Sequence, residues 1–159
     1  MSTLQWSDAL WLDLPAMDDT HREFVDLLAA VEAAPDDQLA AAWRALIEHT
    51  EDHFAREDRW MRDTRFASGN CHTTQHLVVL QVMRETEANA LAGPAGLIRA
   101  MAVELGRWFP QHAQGMDAAL ALHLRRVGYD VATGQVSLPQ ALPVEEIRGC
   151  ASAACSPAA

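Results

Sequence analysis

Seven side chains of this chain share a chemistry and a spacing that suit metal binding. They are His21, then His53 and Glu57, then His72 and His76, then His112 and Asp117. Imidazole nitrogens and carboxylate oxygens without a thiolate suit iron, and manganese and zinc are compatible with the same ligand types. Seven protein ligands are too many for one ion of usual coordination. They suit two ions that share bridging carboxylates. His53 and Glu57, like His72 and His76, are i,i+4 pairs and therefore neighbours on one helical face. His112 and Asp117 are five apart, which on a regular helix separates them by about 140°. A π-bulge or similar distortion between them, eased by Gly115, is therefore expected.

The elements that must position these groups can be read from the apolar period. The first helix runs from about Asp18 to Ala33 and presents Met17, His21, Phe24, Leu28 and Val31, with Asp18, Asp19 or Thr20 as its cap. A second, from about Asp37 to Arg62, presents Leu39, Trp43, Leu46, Thr50, His53, Glu57 and Trp60. The third starts after Asn70 and runs from Cys71 to about Leu91, with His72, His76, Val79, Met83 and Thr86 on its seam. The fourth opens near Pro94 and reaches Val127, with Leu97, Met101, Leu105, Trp108 and His112 inward, and Gly128 ends it. Pro110 removes one backbone donor inside it and should kink it.

Four such helices with short connections predict an all-α, up-down-up-down antiparallel four-helix bundle. Residues 1–17 form an N-terminal arm in which Trp6 and Trp11 can cover the bundle, 18–128 the bundle, and 129–159 an Ala/Pro/Ser-biased tail expected to be poorly ordered. In an antiparallel bundle the start of one helix is level with the end of the next. The seven polar groups then converge at one end of the core. Unpaired buried polar groups cost about 1–3 kcal/mol each, so such a cluster needs compensation, and metal ions supply it. His49 flanks this seam and reads as a partly exposed helix residue; His123 lies a turn or more beyond Asp117 and is left out.

Composition narrows the rest. The 159 residues are one domain's worth of chain, and a formal charge of −10 with 12 basic residues argues against nucleic acid or an anionic membrane as partner. No apolar run approaches the roughly 20 residues of a membrane span, and the N-terminus has no signal-peptide pattern, so a cytoplasmic monomer is expected. Cys71, Cys150 and Cys155 are an odd count, read as reduced thiols rather than a disulfide framework.

The segments "DDTHREF", "HFAREDRWM", "HTTQH" and "WFPQHAQGMD" resemble, in order and spacing, the hemerythrin motif H…HxxxE…HxxxH…HxxxxD, over about residues 6 to 125. The resemblance implies a four-helix bundle with a non-heme di-iron centre that binds O2 reversibly. It assigns His72, His76 and His112 to one iron and His21 and His53 to the other. Glu57 and Asp117 would bridge, with an oxo or hydroxo group. The two-histidine iron keeps an open position. Three residues depart from the family pattern: Ala113 where a branched aliphatic is common, Pro110, and Asp58 in place of a second Glu, expected to be neutral. The function implied is O2 storage, delivery or sensing, with a separate signalling or redox protein as partner where sensing is the role. The alternative is a di-iron enzyme acting on peroxide or nitric oxide, or an iron or metal-stress protein.

Overall fold

A computed structural model describes residues 2–66, 71–92 and 96–147. Its helices are α1 (Pro15–Ala33), α2 (Asp36–Asp63), α3 (Cys71–Ala92), α4 (Gly96–His112) and α5 (Ala118–Val127), with a π-helical turn, Ala113–Asp117, joining the last two into one rod. The four rods close a ring, α1 against α2 and α4, and α3 against α2 and α4. Cross-helix pairs fix the direction. On α2 and α3, Arg44 pairs with Glu87, Glu51 with Arg84, and Asp58 with His76, an antiparallel ladder. On α1 and α4, Arg99 donates to the Glu32 carbonyl at one end while His21 meets Asp117 at the other. The expected up-down bundle is what forms. Among the described residues no helix is long and apolar enough to cross a membrane.

The core is two apolar clusters with the polar residues between them. The larger includes Phe24, Leu28, Val31, Leu39, Trp43, Leu46, Met83, Ile98, Leu105 and Phe109. The smaller includes Met17, Trp60, Met61, Phe66, Leu120, Leu124 and Val127. Each fully buried large apolar side chain contributes about 1.5–3 kcal/mol, and Trp43 also donates its indole N–H to the Met83 carbonyl at 3.2 Å. The polar layer is thus capped by apolar packing on both sides, rather than lying at the open end of a single core.

Several elements differ from the expectation. The α1 helix starts at Pro15, and Asp18 does not cap it. The Asp18 carboxylate reaches back to accept the Leu12 and Leu14 amides at 2.8 and 3.0 Å, which stitches the arm to the helix. Leu4 and Leu10 of the arm are buried and Trp6 packs on the core, but Trp11 is 52 % exposed, so only one of the two tryptophans covers the bundle. The Arg22 guanidinium sits over both rings, 4.8 and 5.5 Å from their centroids. Gly106 on α4 lets the arm close in, since a Cβ there would lie 3.1 Å from Thr3 Cβ. On α4 the inward face is Ile98, Ala102, Leu105 and Phe109; Leu97, expected inside, is 43 % exposed, and Met101 and Trp108 are half-buried. The helix runs through Pro110 and still holds His112 at φ −63°, ψ −53°.

The tail departs most. Gly128 caps α5 in the left-handed region (φ +64°), as expected, and the chain then forms a hairpin, β1 (Tyr129–Asp130) and β2 (Gln135–Val136), followed by a short 3-10 turn, Pro139–Ala141. Tyr129 is buried in the smaller cluster and its hydroxyl donates to Asp63 Oδ2 at 2.6 Å. Further on, the Ile147 amide donates to the Arg65 carbonyl, and Arg65 donates to the Pro143 carbonyl. Residues 129–147 are therefore packed against the end of α2. The caps expected at Asn70 and Pro94, and the tail cysteines Cys150 and Cys155, lie outside the described residues. Cys71, at the start of α3, is disulfide-bonded rather than a reduced thiol.

Candidate metal centre

Each of the seven polar seam residues is at most 2 % exposed, and the structure brings all seven together. The α1 rod supplies His21, α2 supplies His53 and Glu57, α3 supplies His72 and His76, and the last rod supplies His112 and Asp117. The i,i+5 pair shares a face because the backbone is π-helical between its members: the Ala118 N–H donates to the Ala113 carbonyl five residues back. Gly115 is not needed for this turn on steric grounds, since a Cβ there would meet nothing within 4 Å.

Five imidazole Nε2 atoms converge on two carboxylates, and each carboxylate divides its oxygens between two sets of histidines. Glu57 Oε1 lies 2.9 Å from His53 and 3.9 Å from His21. Its Oε2 lies 3.4 Å from both His72 and His76. Asp117 Oδ1 lies 3.0 Å from His72 and 3.2 Å from His112, while Oδ2 lies 3.2 Å from His21. Two groups can therefore each hold an ion, Glu57–His72–His76–His112–Asp117 and His21–His53–Glu57–Asp117, with ligand atoms within 4.8 Å of one another in each group. The hydrogen-bond balance fits the same occupants. His21 Nε2, His72 Nε2, Glu57 Oε2 and both Asp117 oxygens are buried and find no hydrogen-bond partner, an arrangement that protein alone leaves costly.

Electrostatics in the metal-free protein follow from this crowding. Burial pushes the His21 and His72 imidazoles down, but the Asp117 and Glu57 carboxylates outweigh it and raise them to about 9 and about 10. Burial pushes Glu57 up, and His53, His21 and His72 overcome it and hold it well below the usual carboxylate range. Asp117 is pushed up by burial and by Glu57, yet His112 and His21 bring it well below as well. His53 is lowered, with burial the dominant cause. In the metal-free protein the two carboxylates thus favour the charged form of these imidazoles, and a cation placed between them would supply the same compensation.

Two residues outside the seven touch the histidines from behind. Asp58 Oδ1 accepts from His76 Nδ1 at 2.9 Å, so this carboxylate, expected as a neutral replacement for Glu, touches a site histidine. Gln75 Oε1 accepts from His112 Nδ1 at 3.1 Å and from the Trp108 indole at 3.2 Å. Both are polar residues adjacent in sequence to a site residue, a signal present in the chain, but their partners lie across helices. Ala113 is fully buried in the larger cluster. His49 is half-buried and donates to the Thr20 carbonyl at 3.2 Å, and His123 is satisfied singly by the Thr64 carbonyl at 3.0 Å; neither joins the centre.

Comparison with known proteins agrees with this geometry. The Hemerythrin HHE cation binding domain matches residues 12–122. A Bacteriohemerythrin of Ralstonia nicotianae is 39 % identical over 130 residues, covering 82 % of this chain and 95 % of that protein. A Bacteriohemerythrin of Stenotrophomonas maltophilia is 28 % identical over 127 residues, covering 76 % of this chain and 81 % of that one. The chain belongs to the hemerythrin family.

Proposed function

We propose that this chain is an O2-binding protein whose centre holds two iron ions, with His72, His76 and His112 on one, His21 and His53 on the other, and Glu57 and Asp117 shared. The observation that carries the reading is the division of each carboxylate's two oxygens between two histidine sets. A structural site for one ion has no use for that arrangement. Iron bound there supplies the electrons that O2 binding draws on and release returns.

The chain's own residues favour carrying over consuming. Phe24 and Phe109 stack at 4.4 Å, and Phe109 sets its edge on His21 at 5.1 Å, so the two-histidine half is walled by aromatic carbon. Phe54 covers His76 at 3.9 Å. Met17, Trp60 and Leu120, fully or nearly buried, belong to the smaller apolar cluster on the other side of the polar layer. A dry wall limits the supply of protons and water that an enzyme acting on peroxide or nitric oxide would need. Storage, delivery and sensing all require this same reversible step.

The test is a spectrum. Anaerobic, iron-loaded, reduced protein is exposed to air and then to argon. Visible bands that appear in air and vanish under argon, over repeated cycles, support the carrier. Bands that never return, or steady consumption of O2 with reductant, overturn it.

A further inference from the structure

The two halves of the centre are supported unequally. On the three-histidine side, two of the rings are each clamped twice. His76 is stacked on Phe54 (3.9 Å, 7°) and its Nδ1 is held by Asp58 at 2.9 Å. His112 is stacked on Trp108 (4.5 Å, 29°) and its Nδ1 is held by Gln75 at 3.1 Å. Gln75 also accepts from the Trp108 indole, so one amide oxygen locks both the ring and the surface it rests on. The result is that the Nε2 atoms of His76 and His112 already face each other across 3.3 Å, with the tautomer that leaves Nε2 toward the metal selected from behind. His21 and His53 have no comparable clamp. His21 meets Phe109 only edge-on, His53 is only tilted against Phe54 at 5.3 Å, and the Nδ1 atoms of both are buried without a hydrogen-bond partner; the Nδ1 of His72 is also unpartnered, so the difference between the halves rests on His76 and His112.

A ligand held in its bound orientation before the ion arrives loses less freedom on binding, so the pre-set side binds more tightly. We infer that the centre loads in order: the group of His72, His76 and His112 takes the first ion, with Asp58 and Gln75 as positioning residues, and the His21–His53 half takes the second. The inference rests on the two-metal reading above. It assigns Asp58 and Gln75 a role in metal affinity through the histidines they touch, without contact to the ions. It also makes a half-loaded protein a defined species, with one ion among His72, His76 and His112 and none between His21 and His53.

The experiment is titration of the full metal-free chain with Co(II), followed by visible absorption and calorimetry, with melting of each metal-free variant as control. Wild type should take two ions in two resolved steps. Asp58→Ala and Gln75→Ala should each weaken the first step by about 10–100-fold while the metal-free melting temperature stays near that of wild type. Asp58→Asn keeps an acceptor oxygen and should recover part of that loss. His53→Ala should abolish the second step and leave the first. One unresolved step for both ions, or unchanged first-step affinity in Asp58→Ala and Gln75→Ala, overturns the ordering. So does a loss in those variants matched by a general fall in metal-free stability. A wild-type chain that takes up no ion at all overturns the two-metal reading itself, which is a separate outcome.

Discussion

Glu57→Gln is the substitution whose effect follows most directly from the geometry. It keeps the shape of the side chain and removes the charge that lies 2.9 Å from His53, 3.4 Å from His72 and His76, and 3.9 Å from His21. In metal-free protein at pH 7 that charge is paired with imidazoles raised to about 9 and about 10. Removing one partner from a buried ion pair costs about 3–5 kcal/mol. For a domain of this size, where about 1 kcal/mol shifts melting by about 2–4 °C, the fall should be roughly 6–20 °C by circular dichroism. The effect on metal is distinct. Four-ligand structural sites bind with about 10–16 kcal/mol in all, or about 3 kcal/mol per ligand. A carbonyl oxygen recovers some of this, so a loss of about 2–3 kcal/mol, roughly 30- to 150-fold, is expected for each ion. Because Glu57 belongs to both groups, both binding steps should weaken in a Co(II) titration. Loss of one step with the other at wild-type strength would refute the shared carboxylate, and unchanged affinity for both would refute its role altogether.

Other outcomes follow from the same structure. The raised His21 and His72 stabilise metal-free protein fully below the unfolded value of about 6.5, and that contribution is lost as pH rises through about 9 to 10; the lowered Glu57 and Asp117 contribute above their unfolded values and are lost as pH falls. Melting of the metal-free chain should therefore be highest between about pH 5 and 8 and fall on both sides, with the alkaline fall much reduced after metal loading. At pH 7, loading should release at least the two protons carried by His21 and His72, measured by potentiometry. Tyr129→Phe removes the donor to Asp63 at 2.6 Å and should cost about 1–2 kcal/mol in chemical denaturation; no change would mean that the hairpin is not part of the cooperative fold. Ala113→Ile adds bulk at a fully buried position and should cost about 1–3 kcal/mol in chemical denaturation; no change would mean that the packing there has room for the larger side chain.

Much of this was legible in the chain, for identifiable reasons. On α1 and α2 every seam residue named from sequence is buried, and so are Val25, Ile47, Phe54 and Met61, which sit beside the seam and which the period did not single out. The π-turn was legible from a misfit: two residues of the right chemistry could not share a face on a regular helix, so the helix had to change. The inward face of α4 was not legible, because Leu97 with Ile98, Met101 with Ala102 and Trp108 with Phe109 are adjacent apolar pairs that satisfy the period in either phase. Within residues 129–147 the hairpin was not legible, because Ala, Pro and Ser dominate the end of the tail; its turn is marked by Asp130, accepting from the Ala132 amide, and by Gly134 at φ +73°. Asp58 and Gln75 escaped because what they do depends on helix-to-helix register, which one sequence does not fix.

All four rods send imidazoles and carboxylates to one depth, an arrangement that encloses a pair of metal ions in the reading proposed above. Anomalous X-ray scattering at the iron edge, from crystals of iron-loaded protein, tests it most directly. Two peaks per chain are expected, one among His72, His76 and His112 and one beside His21 and His53, with Glu57 and Asp117 reaching both. A single peak, or iron bound anywhere else, would contradict it.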